Sequence, residues 1–232
     1  MILPLDSDLL PVVNRDYWLR LTKDESWQRD ERARCAEEPW YWLVNFVYTK
    51  RKDENVEGGV LERFPPDEYL RYIFHKLFTE PFFSADKSRQ MRFSLLVMSW
   101  AIWHCQYKEH EQVVCQSQKE KDADKELIEE RAHTIWKYQP SWLKPYAKYS
   151  FCKLKFEAMD SEIIGIAAGD NAGDQIRSKN PTRVILDEGG FYQGMFEECR
   201  TAAIACCKDI KCISTANTGQ WADFIEYDRI VA

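Results

Sequence analysis

Apolar and polar positions change their rhythm near residue 81, and most of the architecture can be read from that change. Downstream, short apolar or alternating runs alternate with longer stretches of helical spacing, the signature of an α/β sheet. Phe82-Phe-Ser-Ala85 predicts a strand, and the apolar run Phe93 to Cys105 predicts a buried helix over 93–106. Val113-Val-Cys115 predicts a second strand, followed by a charged helix over about 121–137. Phe151-Cys-Lys-Leu-Lys-Phe156 alternates like a half-buried strand, and Met159-Asp-Ser-Glu162 turns it into Ile163-Ile-Gly-Ile-Ala167, a predicted hairpin. Arg183-Val-Ile-Leu186 predicts a buried strand, 191–206 a helix and Ile210-Lys-Cys-Ile213 a further strand.

Upstream, residues 1–60 read as a helical, aromatic-rich segment, with Trp18, Trp27, Trp40, Tyr41 and Trp42 set among charges. The polar stretch from Lys50 to Gly59 predicts a loop. Pro65-Pro-Asp-Glu68 then opens a helix, Tyr69 to Phe78. The expected organisation is an N-terminal segment, 1–60, packed on an α/β core of mostly parallel strands, 61–232. Ligands of such sheets bind at the carboxyl ends of the strands.

Composition narrows this little. The 232 residues are 45% hydrophobic, enough for a substantial core, and carry a net charge of −6. An overall basic field for gripping nucleic acid is absent, so any DNA contact must use local Lys/Arg patches. The eight cysteines form no C-x-x-C pair and meet no histidine at zinc-ligand spacing, which predicts reduced, buried thiols. The N-terminus lacks a signal-peptide pattern, and Phe93–Cys105 is shorter than the ~20 residues of a membrane span.

Three polar clusters each follow a predicted strand. The first is Lys87-Ser88-Arg89-Gln90-Met91-Arg92-Phe93-Ser94. A phosphate loop needs free backbone N–H groups at a helix N-terminus, a cation and a hydroxyl for Mg²⁺. Ser94 supplies the hydroxyl and Lys87, Arg89 or Arg92 the charge, although the loop has no glycine and Phe93 stands where the lysine of G-x-x-x-x-G-K-[ST] belongs. A basic surface turn before a helix would also produce it. The second cluster is Asp187-Glu188, two carboxylates ending an apolar run; in P-loop ATPases such a pair holds the metal and aligns the attacking water, and a strand ending in solvated acids reads the same way. The third is Ser214-Thr215-Ala216-Asn217, where a strand runs into hydroxyl and amide side chains; an ordinary turn reads the same way.

Together with Glu38-Pro-Trp-Tyr-Trp42, Arg63-Phe-Pro-Pro66 and Tyr69-Leu70, these clusters resemble the ATPase domain of tailed-phage large terminase subunits. The resemblance implies a P-loop NTPase fold of the ASCE type, binding of ATP and Mg²⁺, and a variant phosphate loop with its lysine at the front. Lys87 then resembles the phosphate-binding lysine, Ser94 and Asp187 the metal ligands, Glu188 the catalytic glutamate, and Ser214, Thr215 and Asn217 the coupling motif. Arg177 resembles an arginine finger acting on a neighbouring subunit, with a loop arginine bound to a local carboxylate as the equal alternative, and Arg89 is the competing candidate within its own subunit. The stretch Arg63–Tyr69 is where adenine recognition is expected, with Phe64 and Tyr69 equally readable as core. Val114–Gln118 is a possible DNA or nucleotide contact, with a helix cap at Ser117 as the simpler reading. The same resemblance implies double-stranded DNA, a homo-oligomeric ring, portal protein and small terminase subunit as partners, in the host cytoplasm and away from membranes. It further implies that the nuclease domain of complete terminases lies outside this chain and that Asp223, Glu226 and Asp228 do not replace it. Two other classes are a helicase-like nucleic-acid ATPase and a degenerate P-loop module that binds without hydrolysing.

Overall fold

A computed structural model describes residues 15–51, 59–88, 91–169 and 171–231. Three helices come first, α1 (Arg15–Leu21), α2 (Glu25–Glu37) and α3 (Pro39–Phe46). Asp24 caps α2 by accepting the N–H of Ser26 at 2.9 Å, and Pro39 starts α3 where a missing N–H costs nothing. A hairpin of β1 (Tyr48–Arg51) and β2 (Val60–Arg63) follows, and the boundary expected at residue 60 falls inside it. The helical reading of residues 1–60 therefore stops at α3. Residues 52–58 of the predicted loop lie outside the described residues. Next come α4 (Glu68–Thr79), β3 (Phe82–Lys87), α5 (Phe93–Tyr107) and β4 (Gln112–Ser117). The charged segment begins as α6 (Glu120–Asp122), continues as a π-helix (Ala123–His133) and ends as α7 (Thr134–Lys137). The chain finishes with β5 (Ala147–Ser150), β6 (Lys153–Phe156), β7 (Ser161–Ala167), α8 (Ala172–Lys179), β8 (Arg183–Asp187), α9 (Phe196–Cys206), β9 (Ile210–Thr215) and α10 (Gln220–Val231).

Seven strands form one sheet in the order β3-β9-β8-β4-β7-β6-β5. The run from β3 to β7 is parallel, and β6 and β5 add antiparallel strands at one edge. This is the mostly parallel sheet flanked by helices that the sequence pattern predicts. Successive residues of a strand face opposite sides, so each buried strand feeds two cores. Val113, Ile163, Ile185 and Ile213 join one core with α3 and α5, whereas Val114, Ile164, Val184 and Cys212 join the other with α8 and α9. Burial on both faces is why these strands read as continuous apolar runs.

Helix α5 is apolar all round because it lies between the sheet and the N-terminal helices. Trp100 is fully buried there, and the indole of Trp103 donates to the Cys35 carbonyl at 2.9 Å. The N-terminal aromatics close the same core: Trp42 donates to Gln139 at 3.0 Å, and Gln139 in turn exchanges bonds with Gln106 of α5. Each such large side chain removed from water contributes about 1.5–3 kcal/mol. Seven of the eight cysteines are buried and all are free, as expected.

Two local expectations are corrected, and one strand was not expected at all. The helix predicted over 191–206 starts only at Phe196, because Glu188 (φ 56°) and Gly194 (φ +86°) take the backbone out of the helical region first. The charged helix is π-wound over eleven residues, with Gly165 of β7 close against it: a Cβ there would come within 3.2 Å of the Ala123 carbonyl oxygen. Strand β5 escapes the pattern because its exposed Lys148 and Ser150 belong to a four-residue edge strand. Among the described residues no helix is long and apolar enough to cross a membrane.

Candidate functional site

The topology places a site between strands distant in sequence. Strand β9 enters the sheet last and fits between β3 and β8, with Lys87 opposite Thr215 and Asp187 opposite Ile213. The carboxyl ends of β3, β8 and β9 thus lie side by side, and α5 begins beside them. Ligand crevices of open α/β sheets form at such points.

Lys87 is the last residue of β3 and its ammonium sits at the centre. It donates to Ser94 Oγ at 2.6 Å, lies 3.3 Å from Asp187 Oδ1 and 2.8 Å from Glu188 Oε1. Ser94 Oγ in turn donates to Asp187 Oδ1 at 2.9 Å. The side chains of Lys87 and Asp187 are 8% and 5% exposed, so this pair is held largely out of water, while Glu188 is 33% exposed. A buried carboxylate kept next to a cation and a hydroxyl is satisfied as such groups must be.

Asp187 and Glu188 are adjacent yet diverge. Asp187 completes β8, and Glu188 adopts a left-handed backbone, φ 56°, rare for a non-glycine residue. That turn carries its carboxylate sideways to the end of β9, where Oε2 accepts the backbone N–H of Thr215 at 3.0 Å. Burial by itself would raise the Glu188 pKa, but the bonds from Lys87 and Thr215 outweigh it and hold the carboxyl below its ordinary value. Glu188 is therefore an anion at neutral pH.

The remaining loop residues are placed unequally. Arg92 caps α5 in the left-handed region, φ 57°, the conformation a phosphate-loop glycine would supply, and it pairs with Glu62 at 2.6 Å. Among the described residues no side chain caps α5, so the first N–H groups of a fifteen-residue helix point past Ser94, its second residue. Phe93 is buried in a stack on Phe83, Met91 and Ser88 are exposed, and Arg89 and Gln90 lie outside the described residues.

Ser214, Thr215 and Asn217 all converge on the Glu188 turn. Ser214 Oγ accepts the Gly190 N–H at 3.0 Å, and Asn217 Nδ2 donates to the Gly190 carbonyl at 2.7 Å. Thr215 adds its hydroxyl 3.4 Å from Glu188 Oε1. Arg177 is elsewhere, exposed on α8 and paired with Asp174 one helical turn earlier at 2.8 Å. It sits on a helix, not the loop that its surroundings suggest. Phe64 is buried edge-on against Trp40, which makes it core, while Tyr69 is exposed. Ser117 ends β4 and caps nothing, since α6 begins after Lys119.

Sequence reasoning overlooked the supporting residues. The Tyr192 hydroxyl lies 2.8 Å from the Gln116 carbonyl and 3.1 Å from that of Asp187, fixing the end of β8 against β4. Gly189 and Gly190 leave no room for a side chain: a Cβ would come within 2.7 Å of Phe196 and 2.9 Å of Ser214 Oγ respectively. The pair Gly189-Gly190 straight after two acids was the available signal.

A cation, a hydroxyl and two carboxylates beside free helix N–H groups suit a polyphosphate accompanied by a hard divalent ion. Among the described residues no three His, Cys, Asp or Glu side chains gather to hold a metal by themselves. The site fits instead the way Mg²⁺ is held, by one or two protein oxygens completed by phosphate and water.

No family profile matches the sequence, and no curated protein matches it. Solved structures do. The large terminase of bacteriophage HK97 superposes with a TM-score of 0.58 at 15% identity, covering 84% of this chain and 42% of that one. The ATPase domain of the large terminase of Thermus phage P74-26 follows at a TM-score of 0.48 and 18% identity, covering 74% and 72%. The chain therefore has the fold of the HK97 protein's matching part and spans less than half of that protein's length.

Proposed function

We propose that this chain is the ATP-hydrolysing motor domain of a DNA-packaging terminase. The observation that carries the reading is the meeting of Lys87, Ser94, Asp187 and Glu188 at the carboxyl ends of β3 and β8, against the N-terminus of α5. These four were singled out from two separate stretches of sequence, and the fold shared with a phage large terminase supports taking them as one site.

In this reading Lys87 leaves its carboxylate partners for the phosphates of ATP, which the α5 N–H groups also face. Ser94 Oγ and Asp187 would hold Mg²⁺, which when bound offsets charge on the phosphate oxygens. Glu188, anionic and braced by Thr215, orients the attacking water and accepts its proton. Ser214 and Asn217 grip the turn behind Glu188, so a change at the phosphates would be felt at the start of α10. Double-stranded DNA would be the load, moved by a homo-oligomeric ring seated on the portal with the small terminase subunit, in the host cytoplasm. Helices α1, α2 and α3 would serve as a brace on the α/β core.

The direct test is Mg²⁺-dependent ATP turnover with and without double-stranded DNA. A protein that binds ATP but shows no turnover under assembling conditions would instead be a binding module.

Arg177 provides a second test. Its exposed position on α8, where among the described residues it pairs with Asp174 of the same helix, lets it reach another subunit. Arg177→Ala subunits mixed with Glu188→Gln subunits should recover turnover, since each variant supplies what the other lacks. Arginine fingers contribute about 10³–10⁵ in related reactions, so the recovery is measurable. No recovery would point to Arg89 in cis.

A further inference from the structure

One strong contact near the site has no part in the roles above. Trp221, in the first turn of α10, is 2% exposed, and its indole Nε1 donates to Asp86 Oδ1 at 2.7 Å. Asp86 is the residue before Lys87, and it lies opposite Ser214 in the β3–β9 register. Alternation puts Lys87 on the α5 face of the sheet and Asp86 on the α10 face. Trp221 therefore holds the Lys87 strand from behind.

The same indole also touches the Glu188 turn. A Cβ on Gly189 would come within 3.2 Å of Trp221, and one on Gly190 within 3.3 Å. Ser214, beside Asp86, takes the Gly190 N–H, so the contacts form a closed ring from Trp221 to Asp86, Ser214, Gly190 and back to Trp221. Packing alone does not require this. Phe196 and Phe224 surround the ring at 5.1 and 5.7 Å, and a phenylalanine would fill the same apolar pocket. What tryptophan adds is an N–H aimed at a carboxylate, a bond about twice as strong as a neutral one.

We infer that Trp221, through its bond to Asp86, is a positioning residue that sets the Glu188 turn in register with the Lys87 strand and ties both to α10. Its effect is to keep the Glu188 carboxylate and the Lys87 ammonium at working distance. The inference deepens the ATPase reading and rests on it for its kinetic consequence, but not for its structural one.

The experiment uses Trp221→Phe, Asp86→Ala and Asp86→Asn in the full chain, with two readouts. Amide hydrogen exchange at Gly190 and Thr215, whose N–H groups are bound within this ring and by Glu188, should rise about tenfold in the first two variants. ATP turnover should show kcat lowered about ten- to a hundredfold with KM within about threefold, as expected when a catalytic group is misplaced. Asp86→Asn keeps an oxygen acceptor and should recover most of what Asp86→Ala loses, and Trp221→Phe combined with Asp86→Ala should cost little more than either alone. Unchanged exchange at Gly190 and Thr215 overturns the inference, whatever the turnover. So does a rise spread evenly over the whole sheet, which would mark a merely structural tryptophan. Should exchange respond while the wild type hydrolyses no ATP, the tie stands and the ATPase reading falls.

Discussion

Replacing Glu188 by Gln is expected to lower ATP turnover by about 10²–10⁴-fold, the range for losing a positioned general base, while ATP binding is retained. Gln is nearly isosteric and keeps an oxygen for the Thr215 N–H, so the turn should survive. The change removes the negative charge and with it the ability to take a proton from water. The Lys87 ammonium remains beside Asp187, so phosphate binding loses little. The pH behaviour follows from the lowered Glu188 pKa: a carboxylate held below its ordinary value stays ionised on descent through mildly acidic pH, and its activity disappears only below that value. Wild-type turnover should therefore show no limb from Glu188 between about pH 6 and 8. Steady-state turnover and equilibrium nucleotide binding on both proteins check this. A Glu188→Gln protein with more than a tenth of wild-type kcat would remove Glu188 from the chemistry.

What made Asp187 and Glu188 readable was burial. A strand covered on both faces must be apolar almost throughout, so Val184, Ile185 and Leu186 announce β8 and the two acids stand out at its end. The same logic exposes β4 and α5. It fails for β5, whose Lys148 and Ser150 face solvent at the sheet edge, and for β1–β2, where Tyr48-Thr-Lys-Arg51 has no apolar alternation. Short pairs of this kind are stabilised by partners that sequence spacing does not reveal.

Within the site, residue types were legible and geometry was not. Lys87, Ser94, Asp187 and Glu188 follow from chemistry near predicted strand ends, but the left-handed backbone at Glu188 and Arg92 is concealed by non-glycine side chains. Without that turn Glu188 would not reach Thr215. The indole bond joins residues 135 apart in sequence, and only the insertion of β9 between β3 and β8 brings them together. Arg177 shows the opposite case: its sequence neighbourhood suggests a loop, and the fold puts it on an exposed helix, paired with the local carboxylate of Asp174. An arginine acting between subunits would look like this in a single chain, which is why mixing, and not geometry, decides its role.

Lys87→Ala should produce the other large effect, and it should appear in stability as well as turnover. The Lys87 ammonium is the counter-charge of two carboxylates, 3.3 Å from Asp187 and 2.8 Å from Glu188. Its removal leaves Asp187 buried, with Ser94 as a neutral partner, and Glu188 facing it. Breaking a buried pair in this way costs about 3–5 kcal/mol; Glu188 is one-third exposed, so a loss of about 2–3 kcal/mol at neutral pH is the fair expectation. The sign with pH is fixed by the direction of the Glu188 shift. A carboxyl whose folded pKa is depressed adds stability that is present above its unfolded value and is lost as pH falls through the folded value. Lys87 supplies much of that depression, so the gap between wild type and Lys87→Ala should be widest near pH 7 and should shrink below about pH 4. Mg²⁺ gives an independent check, because a divalent cation drawn to the two unpaired carboxylates replaces the missing charge. It should raise the Tm of Lys87→Ala more than that of the wild type, where the ammonium competes for the same oxygens. Denaturant midpoints at pH 7 and pH 4, with and without Mg²⁺, measure all three terms. A gap that stays constant with pH would mean that Lys87 contributes by packing and not by charge, and its transfer to a phosphate would then lose its electrostatic basis.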